Sequence, residues 1–478
     1  MKEKLIAFLK GSAVLTLSNI CIKAINFFLL PLYTKYLTPE QLGVSDTITT
    51  VTSLIFPILV LGLDSAYSAF YFDKECREHK NKVFSSIFFV LAFTSLVPII
   101  GMFFSKPLSN VIFEDSTYYW IIIIALLSMC CNLWYLPFSL YLRVENKMTA
   151  FAIVNVTASL VMIVSNIITV SVIQLEEAAL IVSTLIANLV MLALYVLFSK
   201  IMPKRTSMDF PLTKKMLKYS IPLIPMVVST WILTTSDRLI LLEFMGELSV
   251  GLYGISTRFV NLVNVFTNSI YMAYTTFAFS SKNDKDSKYV YSTVLDVMNL
   301  FLTAGIFVVS MFSIEILHLM VDAQYYGAYI ILPPLLFAQL LYASNTIVSY
   351  GLSFEKKSGL MLFSVTSAAI LNLILNILLI PRFGLVAAAM TTWLGYLCML
   401  LLSNYFSQKV YPCPYKVKKL VFFNIIMLGV ALFALEKVSF IGRMAIAVCI
   451  LVVFLFAYID TIKLLSNVTR KFLGDKNE

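Results

Sequence analysis

Three cationic side chains, Lys23, Arg238 and Arg258, fall inside or at the ends of otherwise apolar stretches of this 478-residue chain. An ammonium at mid-depth in hydrocarbon costs roughly 3 kcal/mol, so Lys23 is expected to face a cavity or a partner. Ser12, Thr16, Asn19, Lys23 and Asn26 follow at steps of 4, 3, 4 and 3, within about 40° of one line on an α-helix. Thr257, Asn261, Asn264, Asn268, Tyr271 and Thr275 repeat the pattern, with Arg258 at the border of the stripe. Cations at Lys23 and Arg258 suit an anionic headgroup, a phosphate or pyrophosphate carried by a lipid. The amides and hydroxyls beside them offer the donors and acceptors that sugars need. Two plainer uses compete: a lysine can snorkel or pair within a bundle, and asparagines at helical spacing can bond neighbouring helices.

The carboxylates form a second set. Asp46, Thr50, Ser53, Pro57, Asp64 and Tyr67 share a related face, with Asp46 near one end of a span and Asp64 near the other, where they would gate or pair with cations. Asp237 and Arg238 close another span, and Asp237 is a candidate for an ion pair between halves of the chain. Asp296 stands alone inside an apolar run and is the best candidate for proton or ion coupling, against the commoner role of a buried, hydrogen-bonded aspartate. No G-x-x-x-x-G-K-[ST] or H-E-x-x-H motif occurs, and the two histidines, His79 and His318, have no neighbours at metal-ligand spacing. An ATP-hydrolysing enzyme, a metal centre and a resident cofactor are therefore not expected.

The elements that must position these residues are membrane helices. The chain is 60% hydrophobic and 13% charged, with a mean hydropathy of +0.88, far from the ~25% charged of ordinary soluble domains. Apolar runs long enough to cross ~30 Å of hydrocarbon recur throughout, without the alternating short strands of an outer-membrane barrel. Spans are read at about 11–32, 43–66, 83–104, 119–142, 149–173, 177–199, 219–241, 249–280, 289–312, 328–352, 358–380, 384–406, 418–436 and 441–465, fourteen in all. The formal charge of +10 points to membrane orientation rather than nucleic acid, because most of the 36 Lys and Arg residues lie in loops on one side. The other side holds only Lys35, Lys106, Arg382, Lys437 and Arg443, which makes both termini cytoplasmic. Deleting any one span from the count would turn later lysine clusters outward. The seven cysteines are scattered, with no C-x-x-C pair, and read as packing residues. The first apolar stretch is too long for a signal peptide and is expected to remain as a span.

The chain also repeats itself. Ala66-Tyr67-Ser68-Ala69-Phe70-Tyr71-Phe72 reads against Ala273-Tyr274-Thr275-Thr276-Phe277-Ala278-Phe279, Gly43 against Gly251, Val156-Thr157 against Val365-Thr366, and Ser183-Thr184 against Thr391-Thr392, all at nearly one offset. The expected organisation is a six-helix lobe at 1–200, a cytoplasmic linker at 201–218, a second six-helix lobe at 219–407, and two further helices with a tail at 408–478. An even number of spans per lobe relates the lobes by an axis along the membrane normal, with the substrate path between them.

Several segments carry a family resemblance: Leu29-Leu30-Pro31-Leu32-Tyr33-Thr34-Lys35-Tyr36-Leu37-Thr38-Pro39 with Gly43 after it, Leu61-Gly62-Leu63-Asp64, Ile221-Pro222-Leu223-Ile224-Pro225, Ser236-Asp237-Arg238 and Gly251-Leu252-Tyr253. In order and spacing they resemble the multidrug/oligosaccharidyl-lipid/polysaccharide exporter superfamily, specifically its polysaccharide transporter branch of Wzx-type flippases. The resemblance covers nearly the whole chain. It implies two six-helix lobes around a cationic cavity, alternating access, and transfer of a polyprenyl-pyrophosphate-linked oligosaccharide from the inner to the outer leaflet of a prokaryotic cytoplasmic membrane. By that analogy Lys23 and Arg258 hold the pyrophosphate, and a polysaccharide polymerase and glycosyltransferases are the expected partners beside membrane lipids. Drug antiporters of this superfamily use buried carboxylates, often on the first span, where this chain has a lysine. A lipid II flippase and a cation-coupled small-molecule antiporter are the alternatives within the superfamily, and a non-transporting scaffold or glycan-assembly partner is the alternative outside it.

Overall fold

The computed structural model describes residues 27, 29–72, 77–145, 147–280 and 286–474, and Lys23, Asn19 and Asn26 lie outside them. The described chain is all-α and divides into two compact units, the first ending at Gly254 and the second beginning at Ile255. Eleven helical segments among the described residues are long and apolar enough to cross a membrane.

The first unit contains α1 (Leu30–Tyr36), α2 (Pro39–Val60), α3 (Leu63–Tyr71), α4 (Arg77–Thr94), α5 (Leu96–Phe103), α6 (Ser105–Phe113), α7 (Tyr119–Val144), α8 (Met148–Ile167), α9 (Ala179–Ser199), α10 (Phe210–Ser220), α11 (Ile224–Thr235) and the start of α12 (Asp237–Ser280). Local chemistry sets the start of α2: Pro39 needs no amide partner in the first turn, and Thr38 forms a reciprocal capping box with Gln41. The helix ends where Leu61 and Gly62 both adopt left-handed backbone, φ 55° and 65°, and α3 restarts at once. Pro222 and Pro225 reduce the α10–α11 junction to a 3-10 turn at Ile221–Leu223. Within the basic segment read as a linker, α10 begins at Phe210 and packs against α3 and α4.

The remainder of α12 opens the second unit, followed by α13 (Ser287–Met311), α14 (Ser313–Met320), α15 (Leu332–Val348), α16 (Tyr350–Phe354), α17 (Ser358–Val410), α18 (Val417–Lys437), α19 (Phe440–Ala457) and α20 (Ile459–Gly474). The 53 residues of α17 would run ~80 Å if straight, more than twice a hydrocarbon core. Gly384 breaks it with φ 59°, ψ −138°, and Gly246 does the same to α12 with φ 74°, ψ −179°. Gly246 lies between the spans read at 219–241 and 249–280 and Gly384 opens the span read at 384–406, and a residue with a side chain would be strained at either.

Polar clasps join helices whose apolar faces gain little by leaving lipid. In the first unit Ser183 Oγ on α9 meets Thr169 Oγ1 at 2.9 Å, and Trp134 Nε1 donates to Ser95 Oγ at 3.1 Å. In the second, Thr391 donates to Asn376, and Ser344 Oγ to Asn299 Oδ1 at 3.1 Å. The Ser183–Thr169 and Thr391–Asn376 joints fall at corresponding places of the repeat read from the sequence. Also in the second unit, Trp393 Nε1 on α17 donates to Asn424 Oδ1 on α18 at 2.7 Å, and Arg443 on α19 donates to the Met311 carbonyl at 3.0 Å and to both oxygens of Glu315.

Candidate functional site

In the first unit the sequence-derived residues on α2 meet the end of α11 and the start of α12. Thr50 Oγ1 donates to the Asp46 carbonyl at 2.7 Å and receives Arg238 Nη1 at 3.5 Å. One turn on, Ser53 Oγ accepts from Trp231 Nε1 at 2.9 Å. The Asp46 carboxylate packs against Gly254, where a β-carbon would overlap it. Asp237 is fully buried at the start of α12 and accepts the hydroxyl proton of Tyr253 from the far side of the Gly246 break. Asp237 and Arg238, adjacent in sequence, thus serve different neighbours. Asp64 is not brought to this group: it is exposed in the first turn of α3, where the helix dipole favours a carboxylate.

Two glycines permit this arrangement. Gly43 on α2 faces the carbonyl of Glu247 and Gly251 on α12 faces the carbonyl of Pro39, so closely that a methyl group on either would overlap the oxygen. The helices therefore cross at backbone contact.

In the second unit, the polar stripe of α12 keeps its helical face. Asn261, Asn268 and Tyr271 are exposed, while Thr257, Arg258, Asn264 and Thr275 are half-buried beside them. Asn264 receives a hydrogen bond from Gln339 of α15, and Thr275 Oγ1 receives one from the Tyr350 hydroxyl at 2.5 Å. Asn264 and Thr275 thus clasp neighbouring helices, Asn264 also donates to Asn261 at 3.5 Å, and the Tyr271 ring packs edge-on against Tyr350. Gln339 and Tyr350 escaped sequence analysis, although a lone glutamine in an apolar span is itself a signal.

Asp296 on α13 does not stand alone: Lys416 Nζ lies 3.4 Å from its carboxylate. His79 bonds to the Phe70 carbonyl at 3.0 Å and His318 packs on Tyr326. Among the described residues, no three His, Cys, Asp or Glu side chains gather at a metal-binding distance. A further joint was invisible to spacing. Glu145, just past the end of α7, accepts from Lys80 Nζ at 2.8 Å and from the Tyr71 hydroxyl at 2.7 Å. These hydrogen bonds, that of Lys80 foremost, hold its carboxyl below the usual range.

The model of a family described as polysaccharide biosynthesis protein matches residues 33–330, more than half of the chain. The chain belongs to that family. Among curated proteins it is 27% identical over 227 residues to the "Probable low-salt glycan biosynthesis flippase Agl15" of Haloferax volcanii, covering 46% of this chain and 47% of that protein. It is 26% identical over 272 residues to an uncharacterised membrane protein of Methanocaldococcus jannaschii, covering 54% and 52%. The chain thus spans about half the length of the curated relatives it matches. Among solved structures, the family member resembles an inward closed lipid II flippase, with a TM-score of 0.75 at 17% identity, over 94% of this chain and 100% of the other. An inward-facing multidrug resistance MATE family transporter of the MOP superfamily aligns with a TM-score of 0.67 at 14% identity, over 83% and 94%. These likenesses establish the fold. This family member is a multi-pass membrane protein with the fold of that exporter superfamily.

Proposed function

We propose that the protein is a flippase that carries a polyprenyl-pyrophosphate-linked oligosaccharide from the inner to the outer leaflet of a prokaryotic cytoplasmic membrane, with both termini cytoplasmic. The observation that carries this reading is the stripe of α12, where exposed Asn261, Asn268 and Tyr271 follow Arg258 along a helix too apolar elsewhere to face water. A cation beside amides and hydroxyls matches a pyrophosphate beside sugars. Membership of a polysaccharide biosynthesis family supports the glycan, and the relative named as a glycan biosynthesis flippase supports the transport step.

In this account Lys23 and Arg258 hold the pyrophosphate, and Asn19, Asn26, Asn261, Asn264, Asn268 and Tyr271 line the sugar path. Two six-helix lobes alternate access around that path, with α18 and α19 as an appended pair. If Gly246 and Gly384 each separate two spans, the eleven crossing segments become thirteen, and the span read at 11–32 completes fourteen. The crossing of Gly43 with Gly251 lies on the expected outer side, so release to the outer leaflet requires those helices to part. Asp46, Arg238 and Asp237, packed at that crossing, act in gating. The free energy comes from outside the chain, through a gradient or through removal of product by a polymerase.

The test is translocation in vesicles. A fluorescent polyprenyl-pyrophosphate oligosaccharide in both leaflets is quenched from outside. The reconstituted protein should raise the quenched fraction above about half, and Arg258→Ala should abolish the gain. Equal quenching with and without protein contradicts the proposal.

A further inference from the structure

A cavity of about 120 Å3 lies in the second unit, where the start of α13, the start of α18 and the first turns of α20 meet. That is room for several waters, far more than the space one water needs. Its walls present both signs of charge: Asp296 and Asp460 with Lys416, beside the hydroxyls of Ser292, Thr293 and Thr461. The cavity stands at a membrane boundary, because α18 begins and α19 ends there and both are long and apolar enough to cross. The next helix, α20, alternates Ile459, Ile462 and Leu465 with Asp460 and Lys463, a pattern that suits a helix lying in the headgroup layer.

The charges differ in freedom. Lys419, nearby on α18, is committed: its Nζ donates to the Ala457 carbonyl at 2.5 Å and sits over the Tyr458 ring at 3.4 Å. Lys416 is not: its side chain is 54% exposed, and its 3.4 Å approach to Asp296 is longer than a charge-assisted hydrogen bond. Asp296 is 8% exposed, whereas Asp460 at the rim is exposed and forms no ion pair among the described residues. The cavity therefore holds one buried carboxylate with a weakly held ammonium, and one open carboxylate.

The geometry points to a binding site for a zwitterionic phospholipid headgroup bearing a primary ammonium, of the phosphatidylethanolamine class. The ligand's ammonium, with three N–H donors, bridges Asp296 and Asp460. Lys416 swings from Asp296 to the phosphodiester, with the hydroxyls completing the shell. A choline headgroup has no N–H to donate, and a purely anionic headgroup would meet two carboxylates. The site is separate from the polar stripe of α12 and does not depend on what that stripe carries.

The test is native mass spectrometry of the full chain with equal amounts of phosphatidylethanolamine, phosphatidylcholine and phosphatidylglycerol of the same acyl chains. The wild type should retain phosphatidylethanolamine about tenfold over the other two. Asp460→Asn, at an exposed position that leaves folding intact, should cut that preference severalfold. Asp296→Asn should erase it, and Lys416→Gln should lower retention of all three lipids at this site. Equal retention by the wild type overturns the proposal, as does a preference for phosphatidylglycerol. A phosphatidylethanolamine preference unchanged in both aspartate variants overturns it too.

Discussion

Gly43 and Gly251 each lie against a backbone carbonyl of the other's helix, Gly43 on Glu247 and Gly251 on Pro39. The same 208 residues separate Pro39 from Glu247 and Gly43 from Gly251, so the crossing is reciprocal, as two copies of one element would make it. A glycine pair permits backbone contact that no side chain permits, and it forms the joint without loss of side-chain rotamer entropy.

Gly43→Ala and Gly251→Ala should each destabilise the protein by about 1–3 kcal/mol, because a methyl group must push the two backbones apart. Gly305→Ala and Gly429→Ala, at helix positions with open space for a β-carbon, should instead stabilise by about 0.5–1 kcal/mol. Thermal unfolding of the four variants in one detergent checks both signs. Equal shifts for the two pairs would mean that the close approach is not real.

Arg443 is 5% exposed and reaches from α19 to Glu315 and the Met311 carbonyl. Glu315→Ala should cost about 3 kcal/mol, because it leaves a buried guanidinium without its counter-charge. Arg443→Met combined with Glu315→Leu should recover most of that loss. A double variant as unstable as the single one would show that the cost lies in packing rather than in the uncompensated charge.

The carboxyl of Glu145 is held low by Lys80 and Tyr71. A group whose folded pKa lies below its unfolded value of about 4.3 contributes stability above that value, and loses it as pH falls through the lowered folded pKa. The wild type should therefore lose about 0.5–1 kcal/mol on acidification through this joint. Glu145→Gln should be less stable at neutral pH by a similar amount and should lack that portion of the acid sensitivity. Parallel stability curves for the two proteins from pH 7 to 3 would contradict the assignment.

Local chemistry made much of this architecture legible. The turns at Gly246 and Gly384 fall at or beside boundaries read between apolar spans, whereas Thr38-Pro39-Glu40-Gln41 starts α2 at Pro39, ahead of the span read from 43. The polar stripe of α12 could be read because a helix places residues three and four apart on one face. Joints between distant helices could not. Glu145 meets Lys80 across 65 positions, Gln339 meets Asn264 across 75, and Arg443 meets Glu315 across 128, and no periodicity specifies such pairings. Asp296 looked solitary for the same reason, since its partner Lys416 enters from another helix. Continuous helical numbering placed Asp64 on the face of Asp46. The left-handed pair Leu61 and Gly62 interrupts that numbering, and Asp64 is exposed in the first turn of α3.

The central claim is that a cationic, polar path carries a lipid-linked glycan. The most direct measurement deletes the gene in its host and quantifies polyprenyl-pyrophosphate-linked oligosaccharides by mass spectrometry, with complementation by wild type, Lys23→Ala and Arg258→Ala. The account predicts accumulation of a complete lipid-linked unit, relieved by the wild type and by neither variant, although both reach the membrane. No accumulation on deletion, or full relief by both variants, would contradict it.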